Sequence, residues 1–265
     1  MYAFTYEKPA TLAAAVAALG ADADAKPVSG GQTLIPTLKQ RLAAPTKLVD
    51  LAKIAELAGI TVAGDTLTIG AMTRHAAVAG SADVKRVIPA LAALAEGIGD
   101  PQVRNRGTIG GSIANNDPAA DYPAGCLGLG ATIVTTKREL SADAFFTGMF
   151  STALDDGELV TAVKFPKPKR AAYVKFPNPA SRYAIVGVFV AETAGGIRVA
   201  VTGAGAGVFR ATALEQALAS KGFAPASLDG VAVAADGLNS DLHASAEYRA
   251  HLITVMAKRA VAAAG

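Results

Sequence analysis

The sequence has one cysteine, three histidines and no tryptophan. A single cysteine, Cys126, cannot form an internal disulfide, and it cannot supply the four thiolates of a typical iron–sulfur cluster. His75, His243 and His251 are scattered without the close spacing of a metal site. We therefore expect no metal ligands and no catalytic residue in this chain, and we expect the histidines to be exposed helical residues.

Long apolar runs are also missing. The 51% hydrophobic content includes 60 alanines. No charge-free stretch reaches the roughly 18 apolar residues that a ~30 Å bilayer core requires. The opening segment has Glu7 and Lys8 where a signal peptide would have an apolar stretch. We expect a cytoplasmic protein without a membrane span or an export signal of its own, while membrane association or co-export through a partner stays open.

The sequence has no large excess of positive or negative charge. There are 25 Lys and Arg against 22 Asp and Glu, which gives a net charge of +3. No basic block stands out along the chain, so we expect no nucleic-acid partner.

The order of periodic segments predicts an α+β fold. Strands are predicted at 4–6, 26–28 and 47–51, with a helix from Thr11 to Gly20 and another from Leu34 to Leu42. Residues 60–69 alternate around Gly64-Asp65 as in a β-hairpin, and a helix broken near Gly80 is predicted from Thr73 to Gly97. Strands are then predicted at 132–136, 159–165, 172–176, 184–191 and 197–201, and helices from Thr212, Ala226 and Ser245.

Two features divide the chain into three units. The pattern changes near residues 53–60, and the segment Pro166-Lys167-Pro168-Lys169 has the composition of a linker. We predict an N-terminal unit at 1–56, a middle unit at 57–166 and a C-terminal α+β unit at 167–265. Residues 97–128 are rich in Gly, Asn, Asp and Pro, and we predict a long structured loop of functional importance there.

Two glycine-rich segments could hold a phosphate, because small residues let backbone N–H groups approach an anion. The first, 29–33, lies between a predicted strand and a predicted helix. The second, 107–121, combines paired glycines with hydroxyl, amide and carboxylate side chains. Neither matches the NTPase phosphate loop or the dinucleotide fingerprint. A third glycine run, 203–207, has Val208 where that fingerprint needs glycine, so we interpret it as a connection between strands.

The second segment resembles a known family. Residues 99–112 read GDPQVRNRGTIGGS and residues 117–123 read DPAADYP. Both closely resemble the FAD-binding medium subunit of molybdenum hydroxylases, such as carbon monoxide, xanthine and aldehyde dehydrogenases. GGQTLIP at 30–36, LVDL at 48–51 and IGAMT at 69–73 are similar to the same family, so the resemblance spans nearly the whole chain.

The resemblance implies a two-part FAD-binding fold, with N-terminal and middle α/β subdomains gripping the cofactor, followed by a C-terminal α+β domain. It implies that residues 29–34 contact the FAD pyrophosphate from one side and residues 108–112 from the other. Asn115 and Asp121 would contact the ribityl chain or the ring. Val160 would lie against the flavin, Lys175 would approach its polar edge and stabilise the reduced ring, and Tyr183 would cover one ring face. The two loops consist of Ser29, Gly30, Gly31, Gln32, Thr33 and Leu34 on one side, and Thr108, Ile109, Gly110, Gly111 and Ser112 on the other.

By this resemblance the chain is the FAD-carrying electron-transfer subunit of a molybdenum-dependent hydroxylase or dehydrogenase. Its partners would be a large subunit with the molybdenum cofactor and a small subunit with two-iron two-sulfur clusters, arranged as a dimer of heterotrimers. The small subunit would deliver electrons that FAD passes to an external acceptor. Two alternatives stay open, namely a free-standing flavin oxidoreductase and an assembly subunit that has lost FAD.

Some positions depart from the pattern of carbon monoxide dehydrogenases. Gln32, Thr33 and Ser112 stand where many of those relatives have His, Ser and Asn. All three replacements retain hydrogen-bonding groups, so FAD binding is still expected, but the substrate is left unassigned. The single cysteine excludes the extra four-iron cluster that some aldehyde-oxidising relatives carry in this subunit.

Overall fold

The computed structural model describes residues 1–265, and the chain begins with a small parallel sheet. Its strand order is β1-β3-β2, and both outer strands run parallel to β3. Thr11 caps the first helix by accepting a hydrogen bond from Ala14 N, as predicted. The elements are β1 (Thr5–Glu7), α1 (Leu12–Gly20), β2 (Lys26–Val28), α2 (Leu34–Lys39) and β3 (Lys47–Asp50), followed by 3₁₀ turns at Leu51–Lys53 and Ala55–Leu57.

Helix α2 is shorter than predicted. It ends at Lys39, and Arg41 adopts a left-handed backbone with φ of 60°. That conformation cannot continue a right-handed helix. Leu42, which the periodicity placed on the helix's apolar face, is instead 74% exposed.

The middle of the chain forms a five-stranded antiparallel sheet of order β4-β5-β10-β6-β7. The predicted hairpin is present, with Ile60 opposite Ile69. Gly64 in its turn has φ of 56°, which glycine adopts without strain. The strands are β4 (Ile60–Ala63), β5 (Thr66–Gly70), β6 (Thr132–Thr135), β7 (Glu139–Ser141) and β10 (Val160–Pro166).

The prediction of a long loop at 97–128 is wrong, because this segment contains three helices. Asp100 and Thr108 cap two of them by accepting hydrogen bonds from backbone N–H groups. The glycines that suggested a loop serve close packing instead. A Cβ on Gly110 would lie 2.5 Å from Ala71 Cβ, and one on Gly128 would lie 2.7 Å from Phe189 Cδ1. The helices of this unit are α3 (His75–Gly80), α4 (Ala82–Val87), α5 (Pro89–Glu96), α6 (Pro101–Arg106), α7 (Ile109–Asn115) and α8 (Tyr122–Leu129).

One further part of this unit was not predicted. A short helix and a small hairpin lie between β7 and β10. Asn116 anchors the hairpin by donating from Nδ2 to the carbonyls of Gly148 and Ser151. The elements are α9 (Ala142–Phe145), β8 (Phe146–Gly148) and β9 (Ser151–Thr152).

The C-terminal part is an antiparallel sheet of order β11-β12-β13-β14. The helix predicted from Ala226 is wrong, since only a 3₁₀ turn at Pro225–Leu228 forms there. Gly230 follows with φ of 75°, which ends regular structure. The elements are β11 (Arg170–Pro177), β12 (Ala184–Thr193), β13 (Gly196–Thr202), β14 (Phe209–Arg210), α10 (Thr212–Lys221) and α11 (Ala246–Ala264).

Strand β12 joins the two larger cores. Side chains alternate along a strand, so its two faces can serve different layers. Val186, Val188 and Val190 belong to the C-terminal core with α11, whereas Phe189 and Ala191 belong to the core of the middle unit. The C-terminal sheet is therefore packed firmly against the helices of the middle unit. The structure has no helix whose length and hydropathy would let it cross a bilayer.

Candidate functional site

A cleft of about 550 Å³ lies where the end of β2, the helices α6 and α7 and the segment before β12 meet. This volume is in the range of small-molecule sites. Fourteen of the sixteen predicted site residues line it, and the two that do not are Ile109 and Lys175. The fourteen are Ser29, Gly30, Gly31, Gln32, Thr33, Leu34, Thr108, Gly110, Gly111, Ser112, Asn115, Asp121, Val160 and Tyr183.

The first glycine loop presents a run of free backbone donors to this cleft. From Ser29 to Leu34, none of the six N–H groups has an acceptor within the chain. The first helical bond of α2 is donated by Ile35 N to Gly31 O, over 3.1 Å. Gly31 has φ of 72°, which turns the loop into the helix. Successive free N–H groups in such a turn form an anion-binding nest.

The two glycine loops touch through bare backbone. A Cβ on Gly30 would lie 2.4 Å from Arg106 O and 2.6 Å from Gly107 Cα. A Cβ on Gly111 would lie 2.8 Å from Ser29 Oγ and 3.0 Å from Thr108 Oγ1. A side chain at Gly30 would therefore collide with backbone of the second segment, and one at Gly111 would collide with the Ser29 and Thr108 hydroxyls.

The second glycine segment, which the structure forms as Thr108 and the first turn of α7, offers mainly hydroxyl groups, because most of its backbone N–H groups are already bonded. Ile109 N donates to Thr73 O over 3.1 Å, and Gly110 N donates to Ala71 O over 2.8 Å. The N–H of Gly111 is bound to Thr108 Oγ1 and that of Ser112 to Thr108 O. Ile109 itself is fully buried in the core of the middle unit. Thr108 N has no acceptor within the chain, so this N–H and the hydroxyls of Thr108, Ser112 and Ser29 are what this region can donate to a ligand.

Asp121 is the buried carboxylate among the residues that line the cleft. Its side chain is only 5% exposed. Lys175 Nζ lies 3.1 Å from Oδ1 and 3.2 Å from Oδ2, and the Tyr173 hydroxyl donates to Oδ1. Burial raises the pKa of the Asp121 carboxyl, while the Lys175 ammonium and the Tyr173 hydroxyl oppose that rise. Lys175 also donates to Gly97 O over 2.7 Å, so its charge is held beside Asp121 and outside the cleft lining.

Tyr183 and Arg182 lie at the mouth of the cleft. Tyr183 is 47% exposed, and burial of part of its ring raises its pKa above the usual value. Asn178 braces this segment. Its Oδ1 accepts from Ala180 N and Ser181 N, and its backbone N–H donates to Tyr183 O over 2.8 Å. The apolar wall opposite includes Leu159 and Val160, both nearly buried.

The sequence interpretation missed several residues of the lining. His75 is the most informative, since it was expected to be exposed and is instead 4% exposed at the start of α3. Burial, with a smaller effect of the nearby Arg104 charge, lowers its pKa to about 4. Its backbone N–H donates to Gly107 O over 3.0 Å, so it packs directly behind the second loop. The other missed residues of the lining include Leu51, Met72, Ile98, Val103 and Arg182.

No three His, Cys, Asp or Glu side chains gather where they could hold a metal ion. Cys126 is buried in α8, and burial raises the pKa of its thiol. The donors around the cleft are therefore those of an organic anion site, with backbone N–H groups, hydroxyls and one buried ion pair.

Comparisons with known proteins match nearly the whole chain to one protein family. Residues 2–168 match the family described as the FAD binding domain in molybdopterin dehydrogenase, and residues 171–264 match the CO dehydrogenase flavoprotein C-terminal domain. The nicotine 6-hydroxylase medium subunit of Paenarthrobacter nicotinovorans is 34% identical over 99% of this chain and 98% of its own.

Two further matches are to carbon monoxide dehydrogenase of Hydrogenophaga pseudoflava. Its carbon monoxide dehydrogenase medium chain is 35% identical over 98% of this chain and 96% of its own. A solved structure of carbon monoxide dehydrogenase from that organism superimposes with a TM-score of 0.90, at 37% identity, over 98% of this chain and 96% of that one.

Proposed function

The chain belongs to the FAD-binding medium-subunit family of molybdenum hydroxylases, and we propose that it is the FAD-carrying electron-transfer subunit of such a complex. It would accept electrons from iron–sulfur centres and pass them to an external acceptor. The observation that carries the proposal is the run of six N–H groups without an acceptor at 29–34, in a cleft that Thr108 and Ser112 also line.

The residues present fit FAD. A pyrophosphate carries negative charge that a nest of N–H groups stabilises, and the bare glycines at 30 and 111 let the two segments that line the cleft lie in contact. Ser29, Thr108 and Ser112 would add hydroxyl donors. Bound there, FAD supplies two-electron redox chemistry, while the protein binds it and tunes it.

The rest of the cleft suits the ribityl chain and the ring. Asn115 and Asp121 provide polar groups near its buried end, and Val160 provides an apolar wall. Tyr183 lines the cleft and is partly exposed, and it would cover one face of the ring. Lys175 would act on the ring through Asp121, because Asp121 and Gly97 occupy its ammonium group.

Substrate oxidation would take place in other subunits. This chain has one cysteine, so electrons would have to come from clusters in a partner. We propose a large subunit with the molybdenum cofactor and a small iron–sulfur subunit as those partners, in a cytoplasmic dimer of heterotrimers. The division at 1–56, 57–166 and 167–265 is part of the same proposal.

The test is the absorption spectrum of the chain purified with its co-expressed partners. We expect flavin bands and one FAD per chain, with molybdenum and iron found only in the partner subunits. A colourless complex would overturn the FAD assignment and favour an assembly role. A yellow isolated chain that oxidises a substrate unaided would instead show a free-standing flavin oxidoreductase.

A further inference from the structure

A connected set of hydrogen bonds runs from the cleft into the C-terminal sheet. Tyr173 and Lys175 stand two residues apart on β11, so their side chains leave the same face of the strand. Both reach the carboxylate of Asp121, which precedes α8 in the middle unit. The C-terminal sheet thereby holds the one buried acidic group of the cleft lining.

The sheet has a specific place for the Tyr173 hydroxyl. Gly187 lies opposite Lys175 on β12, and a Cβ there would lie 2.2 Å from the hydroxyl oxygen. The Tyr173 ring stacks on Phe189 with centroids 6.2 Å apart. Packing alone would be satisfied by a phenylalanine at 173. The hydroxyl's hydrogen-bond partner is Asp121, and burial and that carboxylate raise the pKa of Tyr173 well above its usual value. The phenol therefore keeps its proton and is the donor.

We propose that Tyr173 is a positioning residue for the flavin, which fixes the orientation and charge of Asp121 and so sets the reduction potential without lining the cleft. This inference rests on the proposed function. Reduction adds negative charge to the ring system. In a site of low effective dielectric, the charge of a nearby carboxylate opposes that addition strongly. A donated hydrogen bond offsets part of the carboxylate's charge and therefore makes reduction easier.

The experiment measures the flavin midpoint potential at about pH 8 in the complete complex, together with the ratio of FAD to protein. We expect Tyr173→Phe to retain FAD and to lower the potential. A threefold to tenfold change in the two-electron equilibrium constant corresponds to about 15 to 30 mV. The matched control is Tyr122→Phe. Tyr122 follows Asp121 directly and is fully buried, but its hydroxyl has no hydrogen-bond partner, so the potential should stay unchanged.

A double-mutant cycle tests whether Tyr173 acts through Asp121. In an Asp121→Asn background, Tyr173→Phe should cause no further shift. A shift of equal size in both backgrounds overturns the inference, as does an unchanged potential in FAD-loaded Tyr173→Phe. Loss of FAD from Tyr173→Phe would make Tyr173 a structural residue only and also overturn the tuning role. A parent complex without FAD would instead refute the proposed function, which keeps the two failures distinct.

Discussion

The backbone of Gly30 lies against that of Gly107, so that a Cβ on Gly30 would stand 2.6 Å from Gly107 Cα. This contact joins the loop that follows β2 to the loop that precedes α7. Both segments also line the cleft, so a movement of either one away from the other would widen the cleft. Retention of the cofactor should therefore depend on a glycine at position 30.

Gly30→Ala should lower FAD retention. The backbone at 30 does not have the positive φ that disfavours alanine, so the cost is the collision with the backbone of Arg106 and Gly107, at 2.4 Å from Arg106 O and 2.6 Å from Gly107 Cα. Overpacking of this kind costs about 1 to 3 kcal/mol, which here would separate the loops. FAD content after gel filtration measures the effect. The control is Gly20→Ala, since nothing lies within 4 Å of a Cβ there. Equal FAD content in Gly30→Ala and the parent would contradict the proposed contact.

Gly111→Val should abolish flavin retention, with Gly111→Ala intermediate. A Cβ at 111 meets the Ser29 and Thr108 hydroxyls at 2.8 and 3.0 Å, and the Ser29 side chain can rotate away. The branched methyl groups of valine would extend into the space left for the pyrophosphate. Titration of each apo complex with FAD measures its affinity, which should fall from the parent to Gly111→Ala and further to Gly111→Val. If Gly111→Val and Gly111→Ala both bind FAD with the affinity of the parent, this segment does not hold the pyrophosphate.

The sequence predicted the first glycine loop because its chemistry is local. Free N–H groups at 29–34 follow from a strand, a glycine turn and a helix in immediate succession. The helices at 101–129 were missed because the reason for their glycines lies elsewhere in the chain. Gly128 is small because Phe189 of β12 packs on it, and no local pattern contains that contact. The contact of Tyr173 is likewise absent from any local pattern, because its hydroxyl fits only beside Gly187 on the neighbouring strand.

His75 should make the stability of the chain depend on pH. Its pKa is about 4 in the folded protein and about 6.5 when unfolded, so the unfolded state binds more protons between these values. Stability is complete above about pH 6.5 and falls as the pH drops towards 4, by about 2 kcal/mol between about pH 7.5 and about pH 5. Urea unfolding of the full chain at both pH values measures the loss.

The variant His75→Gln cannot titrate, so its pH dependence should be weaker by about that amount. His251→Gln is the matched control, because His251 is exposed on α11 and should behave like the parent. If the parent and His75→Gln lose stability in parallel on acidification, burial of His75 is not the cause.

Removal of the Lys175 charge should be far more costly than removal of a surface lysine. Lys175 and Asp121 have side-chain exposures of 10% and 5%, so Lys175→Met leaves a buried carboxylate without its cation. Breaking a buried pair in this way costs about 3 to 5 kcal/mol, or forces Asp121 to take up a proton. Lys258→Met breaks a pair with Asp229 at similar distance, but both partners are exposed, and such pairs contribute about 0 to 1 kcal/mol. Urea unfolding of both variants at about pH 8 gives the difference directly. Protonation of Asp121 would relieve the unpaired charge, so the loss of unfolding free energy in Lys175→Met should become smaller as the pH is lowered. A loss that is constant with pH would mean that lost packing, and not charge, destabilises the variant.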